Sequence, residues 1–115
     1  MASCIFYCAP HGTKLRTDRD AVDLIGEAQG ADFIAIPTER LDDDFFRLRT
    51  GVAGQMLQKF ATYGRRVAIV GDISRYIEES TAFRDFVIES NRGDHLWFAD
   101  SVAELEQWLS KLAAK

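Results

Sequence analysis

No apolar run in this chain approaches the ~18–20 residues that a membrane-spanning helix needs, so no membrane role is expected. The opening stretch, MASCIFYCAPHG, is apolar but short, and it lacks the basic flank of a secretory signal. Cysteine is scarce. The two residues, Cys4 and Cys8, together with the missing signal point to a reducing cytoplasm. Positive charge is also short: 14 Lys and Arg face 18 Asp and Glu, leaving a net charge of −4. Duplex nucleic acid demands a basic surface, so it is not an expected partner. Arg65-Arg66 is the only adjacent basic pair, and it reads as solvating the entry to a strand.

The motifs of several common chemistries are missing too. Gly51-Val52-Ala53-Gly54 lacks the Gly-Lys-Ser/Thr ending of a phosphate loop, and Lys59 falls inside the following helix. Its glycines also lack the offsets of a dinucleotide fingerprint. Both absences count against nucleotide hydrolysis and dinucleotide binding. His11 and His95 have no acid or nucleophile beside them in the local sequence. Cys4, Cys8 and His11 have ligand chemistry suited to zinc. On a strand, however, the two sulfurs would stand about 13 Å apart at ~3.3 Å per residue. That is too far for a shared metal or a disulfide. Packed cysteines are expected, with no metal and no cofactor.

What is present is a well-supplied core. Apolar residues make up 47% of the 115, and eight Phe and two Trp are among them. Each of these large side chains contributes about 2 kcal/mol when fully covered. The length suits one domain spanning 1–115. Residues 4–8 form a short apolar run closed by Pro10 and Gly12, which predicts a first strand. Leu15 starts a return strand. Thr17-Asp18 offers an N-cap, followed by Ala21, Leu24, Ile25 and Ala28 at helical spacing, and Gly30 closes that helix. The runs 33–36 and 67–70 are apolar throughout, the pattern of strands covered on both faces. Between them, Val52, Met56, Leu57, Phe60 and Ala61 make the apolar stripe of a helix over 51–63. Ser80-Thr81 caps a further helix with Phe83, Phe86, Val87 and Ile88. Asn91 and Gly93 suit left-handed backbone at its end. Leu96-Trp97-Phe98 is the last strand. Ser101 with Glu104 forms a capping box for a final helix carrying Leu105, Trp108 and Leu112. The order β-α-β-α-β-α-β-α predicts an α/β fold with a mainly parallel sheet of four to five strands and helices packed on it.

In such sheets ligands lie beyond the carboxyl ends of the strands. That rule gathers Pro37-Thr38-Glu39, Gly71-Asp72 with Ser74, and Asp100-Ser101. The segment 44–51 precedes a helix and joins the same rim. Arg47, Arg49 and Thr50 stand at that helix start, where unpaired N–H groups favour a phosphate or carboxylate. The plainer alternative pairs the arginines with Asp42, Asp43 or Asp44. Gly51 and Gly54 lie in the first turn of the helix. They allow either close packing on the sheet or close approach of a ligand or partner. Asp72 could hold a cation or act as a base, but an acid after a strand is more often a turn or helix cap. Tyr76, Trp97 and Trp108 could stack, and at their spacing they read as core.

The segments DFFRLRTGVAGQMLQKF, AIVGDISRY and RDFVIESNRG resemble a family of small bacterial proteins known only as domain of unknown function 4180. The resemblance runs over about 18–109 and takes little from the first fifteen residues. The family is similar in element order to STAS-like domains, small regulatory α/β modules. That likeness implies a STAS-like fold and no established activity. In STAS-type regulators a phosphorylatable Ser or Thr sits at a helix start, and Thr50 is the nearest match. The surrounding RLRTG departs from their DSSG-like pattern.

Two functions are therefore expected in order. The first is a regulatory or protein-interaction module without catalysis, presenting a rim of Phe45, Phe46, Arg47, Arg49, Thr50, Gly51, Gly54, Asp72 and Ser74 to a protein partner or to a second copy as a homodimer. The second is binding of a small anionic metabolite or nucleotide at Arg47, Arg49 and Thr50.

Overall fold

Four strands form one all-parallel sheet in the computed structural model, which describes residues 5–93 and 95–113. They are β1 (Ile5–Tyr7), β2 (Phe33–Pro37), β3 (Arg66–Val70) and β4 (Leu96–Ala99), and they lie side by side in chain order. In register, Tyr7 meets Ala35, Ala35 meets Ala68, and Ala68 meets Trp97. The connecting helices are α1 (Asp18–Glu27), α2 (Val52–Thr62), and the pair α3 (Ser74–Glu79) and α4 (Thr81–Arg92). The last helix, α5 (Val102–Ala113), follows β4. The expected α/β architecture is therefore present, with four strands.

Sequential order has a consequence for the layers. Right-handed crossovers between neighbouring parallel strands place every connecting helix on the same face. Ile34, Ile36, Val67, Ile69 and Phe98 project into that layer and pack with Leu24, Met56, Phe60 and Phe83 from α1, α2 and α4. The opposite face carries Phe33, Ala35, Ala68, Trp97 and Ala99, and α5 covers it with Leu105, Trp108 and Leu109. Phe33 stacks on Trp97 at 5.0 Å, and Trp108 meets Trp97 edge-on at 6.3 Å. One helix reaches only part of this face. Tyr7 on β1 is left 46% exposed, and Val102 at the start of α5 is 43% exposed.

Local signals explain most boundaries. Thr17 and Asp20 form a reciprocal capping box at the start of α1. The Ser80 hydroxyl accepts the Phe83 N–H at 3.1 Å to start α4. The Ser101 hydroxyl accepts from the Glu104 N–H at 3.2 Å, while the Glu104 carboxylate takes the Asp100 N–H rather than that of Ser101. Trp97 is buried and Trp108 packs against it, as core readings of both require.

Several expectations need correction. Leu15 starts no return strand; it makes an isolated parallel bridge with Leu41. Asn91 lies inside α4, no residue other than glycine has positive φ among the described residues, and Gly93 is extended at φ −92 and ψ −167. Ile88 is 45% exposed rather than part of the apolar stripe. Helix α3 went unforeseen because six residues are too few to show a period. Of the cysteine pair, Cys8 is a buried free thiol, while Cys4 and its spacing lie outside the described residues. Burial raises the Cys8 thiol above its ordinary pKa, although the Arg40 guanidinium works against that shift. Arg40 also holds the turn after β1, donating to the carbonyls of Ala9 and Thr13 at 3.0 Å each.

Candidate functional site

Pro37 ends β2, and the chain takes three short 3-10 turns, Thr38–Arg40, Asp43–Phe46 and Leu48–Thr50, before α2 begins. The long connection is fixed from below. Phe45 and Phe46 are 1% and 3% exposed and pack edge to face at 5.4 Å. Phe46 stacks on Tyr76 of α3 at 4.1 Å and meets Phe83 of α4 edge-on at 5.8 Å. The two phenylalanines thus anchor the loop and offer no surface to a partner.

Thr50 closes the connection. Its hydroxyl lies 2.7 Å from the carbonyls of both Asp44 and Arg47, and it accepts the Val52 N–H at 3.3 Å. Gly51 turns the chain into α2 at φ 79, a left-handed conformation that a side chain would strain. Gly54 behaves differently. It is exposed on α2, and a Cβ built there meets nothing within 4 Å. Close packing on the sheet is therefore not its reason. Replacing Gly54 with alanine should raise stability by about 1 kcal/mol, the helix-propensity difference, in urea unfolding. A loss of stability would contradict this placement.

The charges of the loop sort themselves into pairs. Asp42 takes Arg16 at 2.9 Å, and that partner, with the Asp44 N–H, holds its carboxyl below the ordinary carboxylate range. Asp43 accepts from the Tyr76 hydroxyl at 3.0 Å and lies 3.8 Å from Arg75. Burial, helped by that carboxylate, raises the Tyr76 phenol. Asp44 faces Arg47 at 3.7 Å. The expected pairing of loop aspartates with arginines thus holds for Arg47. Arg49 is exposed and makes no ion pair or hydrogen bond among the described residues.

Arg47 and Arg49 line a cavity of about 360 Å³ together with Tyr76, Ser80 and Ala82. Ser80 caps α4 and Ala82 lies in its first turn, which carries no acidic side chain. The Ser80 hydroxyl satisfies Phe83, so the N–H groups before it keep their partial positive charge. Glu79 contributes a carboxylate to the same cavity. Polar donors, an aromatic ring and a concave shape are the usual makings of a small-molecule site.

Asp72 and Ser74 lie in a neighbouring place. Asp72 accepts from the Ser74 N–H at 2.9 Å and from its hydroxyl at 2.6 Å, which lowers its pKa. This is the turn-forming role of an acid after a strand. Asp72 lines a second cavity with Thr38, Glu39, Asp43 and Arg75, and Tyr76 belongs to both cavities. Arg49 and Asp72 therefore line different cavities, to both of which Tyr76 contributes. Thr50, Gly51 and Gly54 do not line the arginine cavity. Sequence reasoning missed the contribution of Tyr76 and Ser80 here. Ser80 was legible as a cap, and a cap marks a helix N-terminus; nothing in the sequence brought that terminus to Arg49.

The fold is that of a small parallel α/β protein with ligand-sized cavities near the carboxyl ends of its strands. The chain belongs to the family described as Domain of unknown function (DUF4180), whose model matches residues 2–109. The match reaches into the N-terminal segment, which the sequence resemblance had left nearly unused. No curated protein and no solved structure matches the chain. Among the described residues, no helix is long and apolar enough to cross a membrane, and no group of three or more His, Cys, Asp or Glu is placed to hold a metal ion.

Proposed function

We propose that this protein is a sensor-like binding module that takes a small anion, a phosphate or carboxylate group, in the cavity between the Arg47–Arg49 loop and the start of α4. One observation supports this above the others. Each of the three loop aspartates has a basic partner, and Arg49 is left facing a cavity without one. A guanidinium is suited to bidentate contact with planar or tetrahedral anions. The start of α4, which lines the same cavity, adds its N–H groups. Its STAS-like character is supported by element order, and its buried thiol Cys8 fits a reducing cytoplasm. Phosphorylation of Thr50 forms no part of this reading, because its hydroxyl already fastens the loop to α2.

The regulatory interaction reading keeps one favourable observation, an apolar groove elsewhere. Its walls include Tyr7, Pro10, Ala35, Pro37, Val70 and Val102, on the face that α5 leaves partly bare.

A thermal-shift series with inorganic phosphate, pyrophosphate, nucleoside monophosphates and citrate tests the anion site. A ligand at a hundredfold excess over its dissociation constant should stabilise the fold by about 2.7 kcal/mol. Arg49→Ala should leave unliganded stability within about 0.5 kcal/mol of the wild type and abolish the shift. Arg19→Ala, on α1, should leave the shift intact. No response to any anion, or a response that survives Arg49→Ala, defeats the proposal.

A further inference from the structure

The two edges of the sheet are finished differently. On β4, the N–H groups of Val67 and Gly71 donate to the carbonyls of His95 and Ala99, both at 2.9 Å, so alternation turns the Phe98 peptide groups outward. The Asn91 side chain meets them there. Its Oδ1 accepts the Phe98 N–H at 2.8 Å, and its Nδ2 donates to the Phe98 carbonyl at 3.5 Å. A fifth strand would make the same two bonds, so one amide side chain seals this edge at its centre.

On β1 the Cys8 N–H donates to the Ala35 carbonyl at 2.9 Å, which turns Phe6 and Cys8 toward β2 and Ile5 and Tyr7 outward. No hydrogen bond reaches the Tyr7 backbone from outside the sheet among the described residues. Ile5, Phe6, Tyr7 and Cys8 carry no charge, so this edge strand lacks the lysine guard common on exposed strands. Ile5 and Tyr7 stand over Phe33 and Ala35 on the partly bare face, and Tyr7 forms one wall of the apolar groove.

We infer that β1 pairs antiparallel with β1 of a second copy, about a two-fold axis at Phe6, to make one continuous eight-stranded sheet. The strand is self-complementary in that arrangement. Ile5 of each copy stands opposite Tyr7 of the other, and each pair exchanges two N–H···O bonds. The groups exchanged are the ones that face outward. A second copy is the occupant for two reasons. With the β4 edge sealed, head-to-tail pairing of β1 onto β4 is blocked and the closed two-fold assembly is left. A chain of net charge −4 repels itself, and an edge strand without charged side chains is where two copies meet with no like charges in direct contact. The inference stands apart from the anion cavity, which lies on the helix-covered side.

Sedimentation equilibrium of the full chain tests it, with the mass of a dimer expected. Tyr7→Pro removes an outward donor without touching a β1–β2 hydrogen bond. Tyr7→Lys keeps the backbone and places a charge in each Ile5–Tyr7 contact. Each should weaken association at least ~10-fold, about 1.4 kcal/mol, with the helical circular dichroism retained. A monomeric wild type at every concentration overturns the inference. So do folded variants that stay dimeric, and so does a monomer whose β1 edge instead takes an extended peptide from another protein.

Discussion

Truncating Phe46 to alanine should lower stability by about 3–5 kcal/mol, as expected for removing a fully buried aromatic ring. The ring touches three others, Phe45, Tyr76 and Phe83, at centroid distances of 5.4, 4.1 and 5.8 Å. It joins the loop after β2 to both α3 and α4, so its loss leaves a void where three segments meet. Equilibrium unfolding in urea measures the change. Phe46→Leu keeps most of the apolar volume and should cost less. The truncation also removes the floor under Arg47 and Arg49, so anion binding should weaken together with stability. A loss below ~1 kcal/mol would mean that the loop is held by its surface ion pairs, contrary to its burial.

Gly71→Ala should be nearly as damaging, at about 3 kcal/mol, from backbone strain added to overpacking. Gly71 follows β3 at φ 141, where a side chain is strained whatever the space. A Cβ there would also strike Thr38, its hydroxyl first and its Cβ at 3.2 Å. Thr38 is short and branched, so it has little room to turn away. The two causes separate in a double-mutant cycle. Thr38→Ala removes the hydroxyl and the methyl group but not the φ requirement. The double variant should recover part of the loss and keep the rest. Full recovery would show that backbone conformation contributes nothing, and no recovery would show that the contact does not.

The parts of this structure legible in the sequence are those encoded locally. Strands β2 and β3 are apolar at successive positions because residues on both their faces are buried. Thr17, Ser80 and Ser101 mark helix starts because each hydroxyl satisfies an N–H three residues ahead. The common side of the strand ends was legible for the same reason: parallel strands in alternation with helices put their carboxyl ends together. What stayed hidden depends on contacts between distant segments. Nothing near Asn91 says that its amide will meet the backbone of Phe98. Nothing near Asp42, Asp43 and Asp44 says which cation each will take. That distribution underlies the proposed site, since it leaves Arg49 without an ion-pair partner among the described residues. Phe45 and Phe46 illustrate the same limit: as neighbours of two arginines they suited an interface, and as side chains beneath Tyr76 and Phe83 they are core. The partly bare face of β1 and β2 could not be foreseen either, because it follows from a single last helix serving four strands.

An amide chemical-shift titration of the labelled protein with inorganic phosphate tests the anion site residue by residue. The resonances of Arg49, Thr81 and Ala82 should move together with one dissociation constant, and added neutral salt should weaken the response. Shifts confined to other parts of the molecule, or none across the titration, would contradict the proposed site.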